Sequence, residues 1–240
     1  MLSQLRPFGL PSRCAVCHSW PQPPVCGPCL QRFGNPRTRC PRCALPRTQA
    51  DDSRVDCPDC RGRDWALSAC QAAVDYAFPW NELLTAFKFA RQSGYSELFA
   101  RLLLRQPGTC EMLAALGPDD VMMPLPLSAQ RLAERGFNQA WELARAVHRL
   151  SACRARLDAR LLIRIRHTQA QSQLDRELRL ANVRDAFLVK PLAPHPVRGR
   201  AVVLVDDVMT SGASLQSAAK SLLQAGAARV QALVVARTPA

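Results

Sequence analysis

Asp206 and Asp207 close the apolar run Ala201–Val205, and Thr210, Ser211, Gly212, Ala213 and Ser214 come closely behind them. Adjacent carboxylates repel, so a fold that holds both at one strand end needs hydroxyl donors or a metal to relieve them. The 2′,3′-diol of a ribose offers two such donors at a suitable separation. The stretch TSGAS adds three hydroxyls, a glycine that lets the backbone come close, and the free N–H groups of a starting helix. Those groups suit a monophosphate. Together the two halves describe one ligand, a ribose 5-phosphate substituted at C1. A helix N-cap with acids at the positive end of the dipole would account for Ser214 but leaves the acid pair unexplained.

A second constellation lies near the N-terminus. Eight of the eleven cysteines form four C-x-x-C pairs: Cys14/Cys17, Cys26/Cys29, Cys40/Cys43 and Cys57/Cys60. Each C-x-x-C turn aims two sulfurs at one centre, and two turns complete a tetrahedral thiolate site for about two structural zinc ions in all. Sequential pairing is favoured over cross-bracing. A disulfide framework would need an oxidising compartment, and a redox C-x-x-C belongs in a βαβ setting, which this Pro- and Arg-rich segment lacks. Large apolar residues are few before residue 65, so metal must supply much of the folding energy there. Each knuckle is expected to fold independently of the larger domain. Cys70, Cys110 and Cys153 stand alone and read as small buried residues.

The elements that would carry the acid pair can be read from pattern. Length and an apolar fraction of 48% allow one substantial core with a small satellite. No apolar run approaches the roughly 18 residues of a membrane span, and no signal-peptide core forms at the start, so a cytoplasmic location is expected. The boundaries read as 1–65 for the cysteine region and 66–240 for the rest. Residues 66–117 contain a strand-rich start and two amphipathic helices, with apolar positions at Leu83, Leu84, Phe87 and at Leu98, Leu102, Leu103. From residue 118 onward strands alternate with helices: VMMPLPLS, a helix in NQAWELARAVHRL, LLIRIR, AFLV, residues 201–208, a helix closed by Gly226, and ARVQALVVAR. The prolines of VMMPLPLS should keep that strand from continuing in the centre of a sheet. The alternation predicts an α/β fold with a parallel sheet covered on both faces. Ligands of such sheets bind beyond the carboxyl ends of the strands, where Asp206 and Asp207 fall.

The segment 201–214 resembles the phosphoribosyl pyrophosphate (PRPP) motif of type I phosphoribosyltransferases, with Ser211 where threonine is usual. Over nearly its full length the chain is similar to the ComF family of competence and DNA-utilisation proteins. The resemblance is carried also by AFKFARQSGYSELFARLL, PLPLSAQRLAERGFNQA and RIRHTQAQSQLDRELRLANVRDAF. It implies a type I phosphoribosyltransferase-like parallel sheet flanked by helices (hood 66–117, core 118–240), preceded by a small zinc-ribbon or knuckle domain. It gives Asp206 and Asp207 the ribose hydroxyls and the 210–214 loop the 5-phosphate. Arg131 and Arg135 are placed to meet pyrophosphate, and Lys88 matches a family lysine in the hood. Arg166, Thr168, Gln171, Arg179 and Asn182 match the segment that closes over the reacting centre in type I enzymes. PRPP would arrive with magnesium.

Transfer would displace pyrophosphate from C1 through an oxocarbenium-like state, for which Asp206, Asp207 and Arg135 are the catalytic candidates. The protein's part is to neutralise the leaving group, orient the ribose and exclude water. Nothing in the sequence identifies the acceptor. A non-catalytic alternative stays open, in which the fold serves a protein that handles single-stranded DNA alongside DNA-uptake partners. The formal charge of +13 comes mostly from arginine, and two zinc–thiolate sites would lower it to about +9. Arg32, Arg37, Arg39, Arg42 and Arg47 offer phosphate contacts near the knuckles, but only Trp20 and Phe33 are there for base stacking.

Overall fold

The computed structural model describes residues 12–47, 56–89, 94–165, 186–191 and 197–239. The chain forms two compact units, Met1–Asn35 and Pro36–Ala240. The composition changes near residue 65, where the cysteine pairs stop, but the packing divides at Asn35.

The first unit is small. An isolated bridge joins Ser12 to Gln22, and helix α1 (Gly27–Phe33) starts at Cys26 with proline in its first turn. Proline is tolerated there because the first helical N–H groups have no intrahelical partner.

The second unit is built on five parallel strands: β1 (Ala69–Asp75), β2 (Val121–Pro124), β3 (Arg156–Leu157), β6 (Ala201–Met209) and β7 (Arg229–Arg237), in the order β1-β7-β6-β2-β3. Val202, Val203, Leu204 and Val205 are completely buried, as a run of β-branched and aliphatic residues in a central strand should be. Helices α3 (Gly94–Leu104) and α6 (Gln139–Ser151) pack on each other and on the sheet. Phe87 of α2 (Trp80–Phe89) meets Phe99 edge-on, ring centroids 5.4 Å apart. The alternate strand residues, among them Cys70, Val121, Val202, Leu204 and Val230, join Leu215, Ala218 and Leu222 of α7 (Ala213–Gln224) in one buried cluster. The pleat puts these on one face, so helices cover both faces as expected. A separate two-stranded antiparallel sheet, β4 (Leu162–Arg164) and β5 (Phe187–Val189), packs through β5 against α7.

Three details differ from the sequence reading. β2 does lie inside the sheet, between β6 and β3, because Pro124 is its last residue and removes no ladder bond further along. Helices α4 (Pro107–Ala114) and α5 (Ala129–Arg135) were not expected. α5 owes its existence to its ends: the Ser128 hydroxyl accepts from the Arg131 N–H, and Gly136 at φ 75° stops it. Among the lone cysteines, Cys70 and Cys153 are buried but Cys110 is exposed.

The second cysteine group packs as part of this unit. Cys40, Cys43, Cys57 and Cys60 lie in the same buried cluster as Leu204 and Val230. The Cys70 N–H of the edge strand β1 donates to Pro41 O at 2.9 Å, so the knuckle covers an edge that would otherwise be open. The buried guanidinium of Arg39 pairs with Asp75 at the end of β1, 2.8 Å away. Among the described residues no helix is long and apolar enough to cross a membrane.

Candidate functional site

β6 delivers its two carboxylates at the mouth of a cleft of about 230 Å³ beyond the carboxyl end of the sheet. The chain then turns through Gly212, at φ 79°, into α7. Only glycine takes that backbone conformation without strain. A Cβ on Gly212 would also run into Met209 Cε, so a valine there would collide with the underside of the loop before reaching the cleft. The cost of that replacement therefore falls on loop folding.

Asp207 is buried and Asp206 partly exposed, and the Asp207 N–H donates to Asp206 Oδ1 at 2.9 Å. Lys88, reaching in from α2, places Nζ 2.8 Å from Asp207 Oδ2. The two acids therefore differ. Burial and the neighbouring Asp207 charge push the Asp206 carboxyl well above its ordinary range. Burial would raise Asp207 too, but the Lys88 charge and hydrogen bond, together with Asp206 and Arg135, outweigh it and hold that carboxyl below the ordinary value. Lys88 in turn loses solvation yet is raised by Asp207. Adjacent acids held apart in this way give one ionised carboxylate and one that takes up a proton readily.

Arg131 and Arg135 line the same cleft from α5, as do Thr210, Gly212, Ala213 and Ser214 from the loop. Ser211 is turned toward the helix start, where its hydroxyl accepts from the Ala213 N–H at 3.4 Å. Arg135 is lowered by burial, partly offset by Asp207, and its guanidinium lies over the Phe89 ring, 5.5 Å from the centroid. Arg166, Thr168, Gln171, Arg179 and Asn182 lie outside the described residues. Tyr76, Gln139 and Arg164 also line the cleft and were missed. Arg164 leaves the end of β4 with its guanidinium over Phe187, 5.3 Å from the ring centroid. Nothing in LLIRIR separates it from a surface arginine before the pairing of β4 with β5 is known.

The cysteines pair sequentially. Cys14, Cys17, Cys26 and Cys29 bring their sulfurs within 4.8 Å of one another, and so do Cys40, Cys43, Cys57 and Cys60. Individual separations of 3.6 Å (Cys17–Cys26 and Cys43–Cys57) and 4.0 Å (Cys40–Cys60) are too long for disulfides. They suit the edge of a tetrahedron with metal–sulfur bonds of about 2.3 Å. Backbone N–H groups of Cys26 and Cys57 point at Cys14 and Cys40 sulfur, at 3.4 and 3.3 Å, as thiolates require. Both tetrads could hold structural zinc.

The arginines near the knuckles are largely committed. Arg39 is buried against Asp75, Arg37 also pairs with Asp75 at 2.9 Å, and Arg42 pairs with Asp56 at 2.7 Å. Arg39 is therefore not a surface phosphate contact. Arg32 lies over the Phe33 ring, and Trp20 is 59% exposed.

Residues 142–240 match the phosphoribosyl transferase domain model. The chain is 33% identical to DNA utilization protein YhgH of Escherichia coli strain K12 over 214 residues, covering 89% of this chain and 90% of that one. It is 30% identical to competence protein ComFC of Bacillus subtilis over 83% of this chain and 78% of that one. Competence protein F of Haemophilus influenzae is 28% identical over 75% and 78%. The five-stranded parallel sheet with flanking helices fits the type I phosphoribosyltransferase fold.

Proposed function

The chain belongs to the ComF family, and from that premise we propose that the cleft beyond β6 binds PRPP or a related ribose 5-phosphate, in the service of DNA uptake or utilisation. One observation carries the reading. Asp206 and Asp207, the 210–214 loop, Lys88 and two α5 arginines converge on a single cleft from four separate elements. A structural N-cap would need none of the distant cations.

In this reading Asp206 and Asp207 accept from the ribose hydroxyls, and the N–H groups of the 210–214 loop with the Thr210 and Ser214 hydroxyls hold the 5-phosphate, while Ser211 shapes the start of α7. Arg131, Arg135 and Arg164 face the pyrophosphate end. Lys88 keeps Asp207 ionised while the site is empty, so one acceptor is formed in advance. The donor set, carboxylate beside a cluster of phosphate-binding groups, fits magnesium carried in with the pyrophosphate, which would supply further charge neutralisation there. Arg135 and Arg164 are both partly buried, and a desolvated guanidinium acts through a low dielectric, so both can stabilise charge leaving C1.

Calorimetry on zinc-loaded protein should show PRPP binding with magnesium, ribose 5-phosphate binding more weakly, and free ribose not at all. Asp206→Asn should weaken PRPP at least ten-fold, the scale of one charge-assisted hydrogen bond at about 1.5–3 kcal/mol. The pH dependence has a definite sign. Asp206 accepts best as carboxylate, and its folded pKa is raised, so affinity should rise with pH through that raised value; in Asp206→Asn this dependence should flatten. No PRPP binding by intact protein would overturn the reading. Pyrophosphate release with a panel of bases, amines and single-stranded DNA as acceptors then separates a transferase from a binding protein.

Single-stranded DNA as a partner draws on the names of the relatives, on the excess of arginine and on exposed Trp20. Binding should be indifferent to sequence and fall steeply with salt, by roughly one log–log unit per phosphate neutralised. Binding absent at low ionic strength removes it.

A further inference from the structure

We infer that Arg237 is a positioning residue that ties the second cysteine tetrad to the 210–214 loop, so that metal at Cys40, Cys43, Cys57 and Cys60 and a phosphate ligand at the loop strengthen each other's binding. The ligand half of this statement rests on the function proposed above; the tie itself does not.

Arg237 ends β7 and is 7% exposed. Its guanidinium is spent on main-chain carbonyls. Nε donates to Cys43 O at 2.9 Å, and Nη1 donates to Met209 O at 3.2 Å, to Thr238 O at 2.6 Å and to Thr210 O. One end of the side chain thus holds a cysteine turn, and the other holds the first residues of the loop. Among the described residues no carboxylate pairs with it. A buried guanidinium without a counter-charge is costly. Four thiolates around a divalent metal carry a net −2, which supplies the missing charge through a ligand residue, Cys43, that Arg237 already touches.

A second chain of contacts runs beside the first. Pro41 O accepts from the Cys70 N–H, and the Cys70 sulfur lies 3.7 Å from Met209 Sδ. Met209 Cε fills the space directly under Gly212. The knuckle turn, Met209 and the floor of the loop are therefore in continuous contact. Coupling of this kind is reciprocal: whatever metal does for ligand affinity, ligand must do for metal affinity. The tetrad of the first unit, with Cys17 exposed, has no such role in this proposal.

The test uses full-length, zinc-loaded protein. Zinc release to a chromogenic chelator is followed with and without saturating ribose 5-phosphate, and Cys14→Ser identifies the phase that belongs to the second tetrad. That phase should slow about five-fold or more with ligand, within the usual range of coupling between sites. Arg237→Met should lose the slowing, and Arg237→Lys should restore part of it, because an ammonium keeps the charge but cannot span both carbonyl sets. Equal release rates with and without a ligand that calorimetry shows to be bound would overturn the proposal. If ribose 5-phosphate does not bind, hydrogen exchange decides instead. Metal-loaded Arg237→Lys should lose protection at 41–45 and at 209–215 together, with α3 and α6 unchanged. Loss at one segment without the other, or uniform loss across the sheet, would mean there is no tie.

Discussion

Cys57→Ser is expected to lose one of two bound zinc ions and to lower the main thermal transition by on the order of 10 °C or more. Cys14→Ser should lose one zinc as well, yet leave that transition nearly where it was. The two tetrads have the same ligands and the same local geometry, so the difference comes from what surrounds them. Cys14 belongs to the Met1–Asn35 unit, whereas Cys57 lies within the core cluster that includes Leu204, Val230 and Leu222. Structural zinc contributes roughly 10–16 kcal/mol in small metal-folded domains, against a total stability of about 5–15 kcal/mol for an ordinary domain. Even a fraction of that, lost from the covering of β1, shifts a 200-residue unit by several degrees for each kcal/mol. Elemental analysis and calorimetry on the two variants check it. A Cys57→Ser protein that melts like wild type would show the second tetrad to be peripheral, against its burial.

The acid pair and its loop were legible because several physical requirements coincide in one short stretch. A doubly buried strand must be apolar, its end must face a ligand crevice, and a phosphate needs small residues ahead of a helix. The four C-x-x-C pairs were legible for a similar reason, since ligand spacing is local. The failures are of another kind. α5 carries no buried residue at all, so no apolar period announces it; its signal is only Ser128 and Gly136 at its ends. β3 has two residues and exists because Asp120 O and Met122 O fix the chain beside β2. Arg237 and Arg39 looked like any of the other arginines. Their burial depends on pairing Asp75 with a knuckle residue and Cys43 with the end of β7, contacts between residues far apart in the chain. Composition marked where the cysteines stop, but it could not show that the second tetrad packs as part of the sheet's core.

The same distinction between local and distant information applies to Lys88. Helical spacing makes it one more basic residue of an amphipathic helix, and only the family resemblance singles it out; in the fold it is the partner of Asp207, with the two side chains only 20% and 6% exposed. Lys88→Met should therefore cost about 3–5 kcal/mol at neutral pH, since removing one member of a buried pair leaves an uncompensated charge. Arg135 still faces Asp207 in the variant, but it is the lesser influence. The pH dependence comes from the direction of the shift. Asp207 is held below its ordinary value when folded, so it contributes stability above the unfolded pKa of about 3.9, and that contribution is lost as pH falls through the folded value. Without Lys88 burial dominates and the carboxyl moves up, so the variant gains stability relative to wild type as pH falls. Urea unfolding should show a gap between the two proteins that is wide at neutral pH and narrows toward about pH 4. Adding Asp207→Asn to Lys88→Met removes the stranded charge and should recover most of the loss. A gap that stays constant with pH, or a double variant no better than Lys88→Met alone, would mean that Lys88 stabilises the fold by packing its stem and not by its charge.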